Sequence, residues 1–174
     1  SDFANGEQFK RVSCPFTGEE LLAVRAIRPD VAILHVQRAD KEGNAHVWGN
    51  FGVTREAALA AKKVILTCEE IVDHEVILSD PNRTVIPGFV VTSVVHEPFG
   101  SHPSSTQGYS RRDDDFYFEY HKATRTSEGF EQWLQKHVLG ANDHRAFLNL
   151  LGSERIARLK PAGDLFAPAV SFNY

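Results

Sequence analysis

Apolar and polar positions change their period several times along the chain, and each change predicts an element. Val31 to Val36 reads Val-Ala-Ile-Leu-His-Val, a continuous apolar run that suits a strand covered on both faces in a parallel sheet. Asp40-Lys-Glu-Gly-Asn44 carries turn chemistry, and Ala45 to Trp48 alternates as a return strand does. Thr54 is placed to cap a helix running to Lys63, because the interior is alanine-rich and lysines occupy the last turn. Val64 to Cys68 then predicts a second buried strand. Glu69 and Glu70 follow it, and the preference of carboxylates for exposed helical amides reads them as a helix N-terminus.

Further along, Asp80 to Arg83 is a turn, and Thr84 to Ile86 and Phe89 to Val95 are β-rich runs separated by Pro87-Gly88. His96 to Pro103 holds two prolines and a glycine, which excludes regular structure, and a polar loop follows from Ser104 to Arg112. Asp113 to Asp115 reads as a helix start. Phe130, Trp133, Leu134, His137 and Val138 recur at helical spacing and Gly140 stops that helix. Asn142 or Asp143 caps another helix with Phe147, Leu148 and Leu151, continued past Gly152 by Ile156 and Leu159, and the tail after Pro161 reads as extended. Strand, helix and strand alternate, so the expected class is α/β, an open, largely parallel sheet with flanking helices in one domain over 1–174.

Composition narrows the function classes. With 174 residues of which 42% are hydrophobic, the chain can bury a single core. A net charge of -4, with acidic and basic residues interspersed, offers no phosphate-binding footprint and argues against nucleic acid. The longest apolar runs fall well short of the roughly 20 residues of a membrane span, and Ser1-Asp-Phe-Ala-Asn5 lacks a basic leader, so a soluble, cytoplasmic protein is expected. Cys14 and Cys68 form neither a disulfide framework nor a zinc motif. The eight histidines show no ligand spacing, so no metal is expected, and Ser104, Ser105 and Ser110 sit in no nucleophile elbow. Methionine is absent, which suggests a processed or truncated piece.

The runs Val31 to Asn44, Ala60 to Val72 and Pro81 to Gly88, followed by Pro98-Phe-Gly-Ser-His-Pro103 and Gly108-Tyr109, occur in one order. In that order they resemble the A-type subunits of family I CoA-transferases of the glutaconate type. The family's first strands and glycine-rich turn find no match here, so the resemblance covers the C-terminal part of such a protein. It implies a B-type partner subunit, an intersubunit active site, and a nucleophilic glutamate on the partner, leaving no catalytic residue in this chain. Acyl-CoA and a carboxylic acid would be substrates, with no permanently bound cofactor.

Candidate substrate-binding residues are Gln37, Arg38, Asp40 and Asn44, because strand C-terminal ends carry ligand sites in open α/β sheets. Arg38 is suited to hold a carboxylate, although Arg38 and Asp40 can equally brace the Gly43-Asn44 turn. His102 joins them as a group that can polarise a carbonyl or meet the partner, with loop packing as the alternative. His35 is expected to be a satisfied core histidine, Cys68 a packing residue and Glu97 a surface or interface group. The competing functions are a subunit of a CoA-thioester or ring-opening hydrolase, and a non-catalytic scaffold. A sugar-phosphate isomerase would need a glycine-rich basic cradle, which the sequence does not contain.

Overall fold

The computed structural model describes residues 8–161. Strands β1 (Phe9–Ser13) and β2 (Glu20–Val24) form an antiparallel hairpin that stands as its own two-stranded sheet. The central sheet contains β3 (Val31–Ala39), β4 (Ala45–His46), β5 (Lys63–Ile71), β6 (Thr84–Ile86) and β7 (Ser93–His96) in the order β6-β4-β3-β5-β7. β5 runs parallel to both β3 and β7, whereas β4 is antiparallel to β3 and to β6. Only β4 therefore points against the rest, so the sheet is open and largely parallel, as its sequence predicts.

Helix α1 (Thr54–Ala60) makes the crossover between β3 and β5. Its buried Ala58 and the half-buried Ala57 pack on Val36, Val64, Leu66 and Ile86, all four of which are fully enclosed. Burial of such side chains is worth about 1.5–3 kcal/mol each, which fixes β3 and β5 in register from Val31 opposite Lys63 to Ala39 opposite Ile71. The helix is shorter than its sequence suggests. Val53 occupies the N-cap position without a side-chain bond, and the amides of Lys62 and Lys63 are drawn to the carbonyls of Pro29 and Asp30, so the lysines enter the strand connection instead of a last turn.

Three other expectations are corrected. Glu69 and Glu70 belong to β5 rather than to a helix N-terminus, because the parallel ladder with β3 continues through them. The N-terminal half of β3 is covered on one face only, since Ile33 remains 71% exposed while Ala32 and Val36 are buried. The run after Pro87-Gly88 is interrupted by a 3-10 turn over Gly88–Val90 before β7 begins. Gly43 has φ +91, and a Cβ there would lie 2.7 Å from the Val91 side chain, so the turn after β3 requires glycine twice over.

Helices α2 (His74–Leu78), α3 (Asp114–Ala123), α4 (Ser127–Leu134), α5 (His144–Leu151) and α6 (Ser153–Leu159) complete the described chain. Asp113, Thr126 and Asp143 cap α3, α4 and α5 by accepting from Phe116, Gly129 and Ala146, which resolves the Asn142 or Asp143 alternative. Between α4 and Gly140 the backbone widens into a π-type turn over Gln135–Leu139, closed by the Gly140 amide on the Gln135 carbonyl at 2.7 Å. The extended tail expected beyond Pro161 lies outside the described residues. Among the described residues, no helix is long and apolar enough to cross a membrane.

Candidate active site

β3 and β5 end side by side, which sets Arg38 opposite Glu70 in the parallel ladder. The next strand, β7, stops three residues short of the end of β5, with His96 opposite Cys68. The chain then returns across these ends and delivers Tyr109 to Arg38. The Arg38 Nε donates to Glu70 Oε2 at 2.9 Å and lies 3.0 Å from the Tyr109 hydroxyl. Its guanidinium sits 5.7 Å from the centroid of Trp48, whose ring also faces Arg83 at 5.1 Å and Tyr109 at 6.3 Å. Arg83 is paired with Asp80 at 3.0 Å.

Electrostatics favour the cationic form of Arg38 and the protonated form of Tyr109. Burial opposes the charge on Arg38, but Tyr109 and Glu70 outweigh it and raise its pKa. Burial, reinforced by a hydrogen bond to Glu70, pushes the Tyr109 phenol above its ordinary value, so it retains its proton. The Arg38 side chain is 23% exposed and Glu70 43%, so a permanent cation and a neutral phenol line a water-accessible edge of the sheet. Such a pair suits recognition of a carboxylate.

Gln37 is buried below this edge, and its amide donates to the Trp48 carbonyl at 2.9 Å. It fixes the platform residue from behind. Asp40 is buried as well, accepting from the Asn44 amide and side chain at 2.8 Å each and meeting His74 Nδ1 at 2.7 Å. Burial alone would raise the Asp40 carboxyl, and the bonds from His74 and Asn44 more than offset it, leaving the pKa below its ordinary value. Asn44 in turn accepts from the Gly88 amide at 2.9 Å. Asp40 and Asn44 thus brace the turn against the β6 region. Asp40, Glu42 and His74 bring one potential metal ligand each within 4.8 Å, yet both Asp40 oxygens are already engaged.

His102 lies elsewhere. Its Nε2 meets Asp113 Oδ2 at 2.9 Å, and its ring packs edge-on to Phe116 at 4.8 Å and against Phe147 at 5.6 Å. With a side chain only 2% exposed, it belongs to the junction of the loop with α3 and α5. His35 is satisfied on both nitrogens, by Thr67 at 2.9 Å and Glu69 at 3.0 Å. Burial, then the neighbouring Glu69, pushes the Cys68 thiol up to about 11, consistent with a packing residue. Glu97 lies 3.6 Å from His144 and is half-buried.

Two further residues belong to these networks although pattern alone does not mark them so. Tyr109 completes the Arg38 cluster, and the sequence marks it only as half of the Gly108-Tyr109 pair in a polar loop. Glu69 is enclosed between His35 and the Phe99 amide, which it accepts at 3.0 Å. Phe99 has φ +65, so Glu69 holds a non-glycine residue in left-handed backbone.

The family model described as Coenzyme A transferase matches residues 6–97, which include β1 to β7 and the Arg38 side of the cluster. The chain belongs to the coenzyme A transferase family. It is 46% identical over 139 residues to the A-type subunit of 3-oxoadipate CoA-transferase from Pseudomonas knackmussii, covering 79% of this chain and 48% of that relative. The crystal structure of glutaconate coenzyme A-transferase from Acidaminococcus fermentans superposes with a TM-score of 0.84 at 39% identity, over 90% of this chain and 50% of that one. A more divergent relative, 28% identical over 141 residues, is the cholesterol ring-cleaving hydrolase IpdA subunit of Mycobacterium tuberculosis, covering 79% of this chain and 48% of that relative. The chain spans about half the length of the curated relatives it matches.

Proposed function

We propose that this coenzyme A transferase chain works as part of the A-type subunit of an acyl-CoA:carboxylate CoA-transferase, with Arg38 receiving a substrate carboxylate and a B-type partner supplying the nucleophilic glutamate. The observation that supports this reading best is the Arg38 cluster, a guanidinium at the ends of parallel strands that already holds one carboxylate beside a protonated phenol. A carboxylate bound as Glu70 is bound is stabilised by its cation and is a weakened nucleophile. Glu69 is buried and hydrogen-bonded twice. Both fit a division of labour in which this chain orients and the partner attacks.

In that mechanism the partner's glutamate oxygen attacks the thioester carbonyl, the carbon-sulfur bond breaks, and CoA leaves as the thiolate while a mixed anhydride forms. The thiolate then attacks the glutamyl carbonyl, which releases the first acid as its carboxylate and leaves a glutamyl thioester. The acceptor carboxylate reverses both steps and departs as the new acyl-CoA. Arg38 and Tyr109 would orient the acid group away from the reacting carbonyl, so that binding energy is used for alignment. CoA is a substrate here, and no resident cofactor takes part.

The test is to mix the chain, in its full subunit, with a B-type partner, an acyl-CoA and an acceptor acid. Transfer predicts acyl-CoA formation from the acceptor and negligible free CoA. Release of free CoA at a rate indifferent to acceptor would replace this reading with the hydrolase one, which the similarity to the ring-cleaving hydrolase favours as second choice. A scaffold without substrate contacts would leave the rate unchanged in Arg38→Ala.

A further inference from the structure

We propose that the helical end of the chain carries a separate ligand site, a cavity that takes an aromatic anion with its ring against Trp133 and its acid group on Lys122 and Lys136. The cavity lies among α3, α4, the π-type turn, α5 and α6 and measures about 470 Å³. Small-molecule sites typically occupy roughly 300–1,000 Å³, with largely apolar walls and a few placed polar groups.

The walls have that character. Phe116 and Trp133 meet edge to face at 5.1 Å, and Trp133 lies 4.0 Å from the His137 ring at a 32° tilt, which gives one aromatic surface along the cavity. Leu150 lines the cavity as well and stays 41% exposed. An aromatic guest would extend this cluster with the same offset and edge contacts.

Charge at the cavity is selective. Arg155 is engaged by Asp113 at 2.8 Å and by Glu119 at 2.8 Å, so the Glu119 carboxylate is already ion-paired. Lys122 and Lys136 also line the cavity, are exposed, and make no ion pair among the described residues. Among the described residues that line the cavity, two unpaired ammonium groups therefore accompany an aromatic wall, and the carboxylate there, Glu119, is already paired. That combination favours an anion with a flat apolar body over either a cation or a neutral hydrocarbon.

Two local features agree. Burial, then the charge of Lys136, lowers the His137 pKa, so its ring is neutral at pH 7, and its Nδ1 is buried without a hydrogen-bond partner among the described residues. Orphaned polar atoms of this kind are uncommon in folded proteins. Lys136 and His137 both sit in the π-type turn, a local widening that recurs at functional sites. The cavity residues lie on α3 to α6 and the π-type turn, elements other than those that carry Arg38, Glu70 and Tyr109, so the cavity is distinct from the Arg38 cluster.

The shared chemistry, an aromatic ring with an acid group, belongs both to nucleotides and to aromatic carboxylates, and the experiment separates them. Tryptophan emission of the full subunit is followed while ADP, benzoate, adenosine or acetate is added at low salt. Saturable quenching by ADP alone assigns the site to nucleotides, and by benzoate alone to aromatic acids. Trp133→Phe removes the signal if it originates here, whereas Trp48→Phe leaves it. Lys122→Ala and Lys136→Ala are exposed substitutions that leave the fold intact and should each weaken binding roughly fivefold, as partly solvated ion pairs do. No saturable response to ADP or benzoate, equal binding of adenosine and ADP, or a signal indifferent to Trp133→Phe would each overturn the proposal.

Discussion

Asp113 joins three parts of the molecule, and removing its carboxylate tests whether that junction is structural. One oxygen caps α3 by accepting from the Phe116 amide at 3.0 Å, and the other faces His102 at 2.9 Å and Arg155 at 2.8 Å. The side chains of His102 and Asp113 are 2% and 4% exposed and Arg155 is 18% exposed, so solvent cannot replace these bonds as it would on a surface. Loss of an N-cap costs about 1 kcal/mol, and breaking a buried charge pair costs about 3–5 kcal/mol. Because Glu119 still holds Arg155 and the terms share partners, Asp113→Ala should cost about 4 kcal/mol in total rather than their sum. Urea unfolding followed by tryptophan emission would show the midpoint falling by about 2 M for a slope of about 2 kcal/mol per M. Asp113→Asn keeps a cap acceptor and should recover about 1 kcal/mol of the loss. A cost below about 1 kcal/mol for Asp113→Ala, or no difference between the two variants, would refute the junction.

Three further outcomes are expected. Arg38→Ala should lower kcat/KM for the acceptor acid about 10–100-fold in the reconstituted transferase, the worth of a hydrogen bond between charged groups, with urea stability nearly unchanged; unaltered kinetics would remove Arg38 from the site. Glu69→Ala should destabilise by about 2–4 kcal/mol, because the Phe99 amide and His35 lose their buried acceptor, while Glu69→Gln costs less; equal midpoints for the two variants would count against that role. Asp40 and Asp113 have folded pKa values below their unfolded value of about 3.9, so their contribution is present above that pH and is lost as pH falls through the folded values. Urea midpoints measured from about pH 7 to pH 3 should therefore drop chiefly below about pH 4, and Asp40→Asn with Asp113→Asn should flatten that drop. His74 is shifted upward by Asp40 and acts in the opposite sense, its contribution present below its unfolded pKa and lost as pH rises through the folded one.

How far these features could be read beforehand depends on whether their cause is local. β3, β5 and β6 are legible because each buries a face, leaving Val36, Val64, Leu66 and Ile86 without solvent exposure. The hairpin of β1 and β2 has no such face. Its Val12, Leu21, Leu22 and Val24 remain 43–62% exposed, so backbone pairing holds it and no alternation marks it. Likewise, helix-favouring lysines at 62 and 63 lose to the carbonyls of Pro29 and Asp30, contacts made where the neighbouring interior strands β3 and β5 begin. Glu69 and Glu70 satisfy a helix-start rule in sequence, yet the ladder to β3 carries more bonds than one helical turn would supply.

The site divides along the same line. A strand end is a local feature, so Arg38 is legible as a candidate, and so is the brace formed by Asp40 and Asn44 within one five-residue turn. Whether Arg38 faces a ligand edge or only the turn depends on Glu70 and Tyr109, which reach it from 32 and 71 positions away. His102 illustrates the converse. Its motif is conspicuous, but Asp113, Phe116 and Phe147 enclose it, and all three come from the helical segment beyond residue 97, where the match to the family model ends. A histidine so enclosed positions the loop between Pro98 and Tyr109, and through Tyr109 it bears on Arg38 without touching Arg38 itself. The two halves of the chain are thus coupled by the loop that the strand ends and the helices both hold.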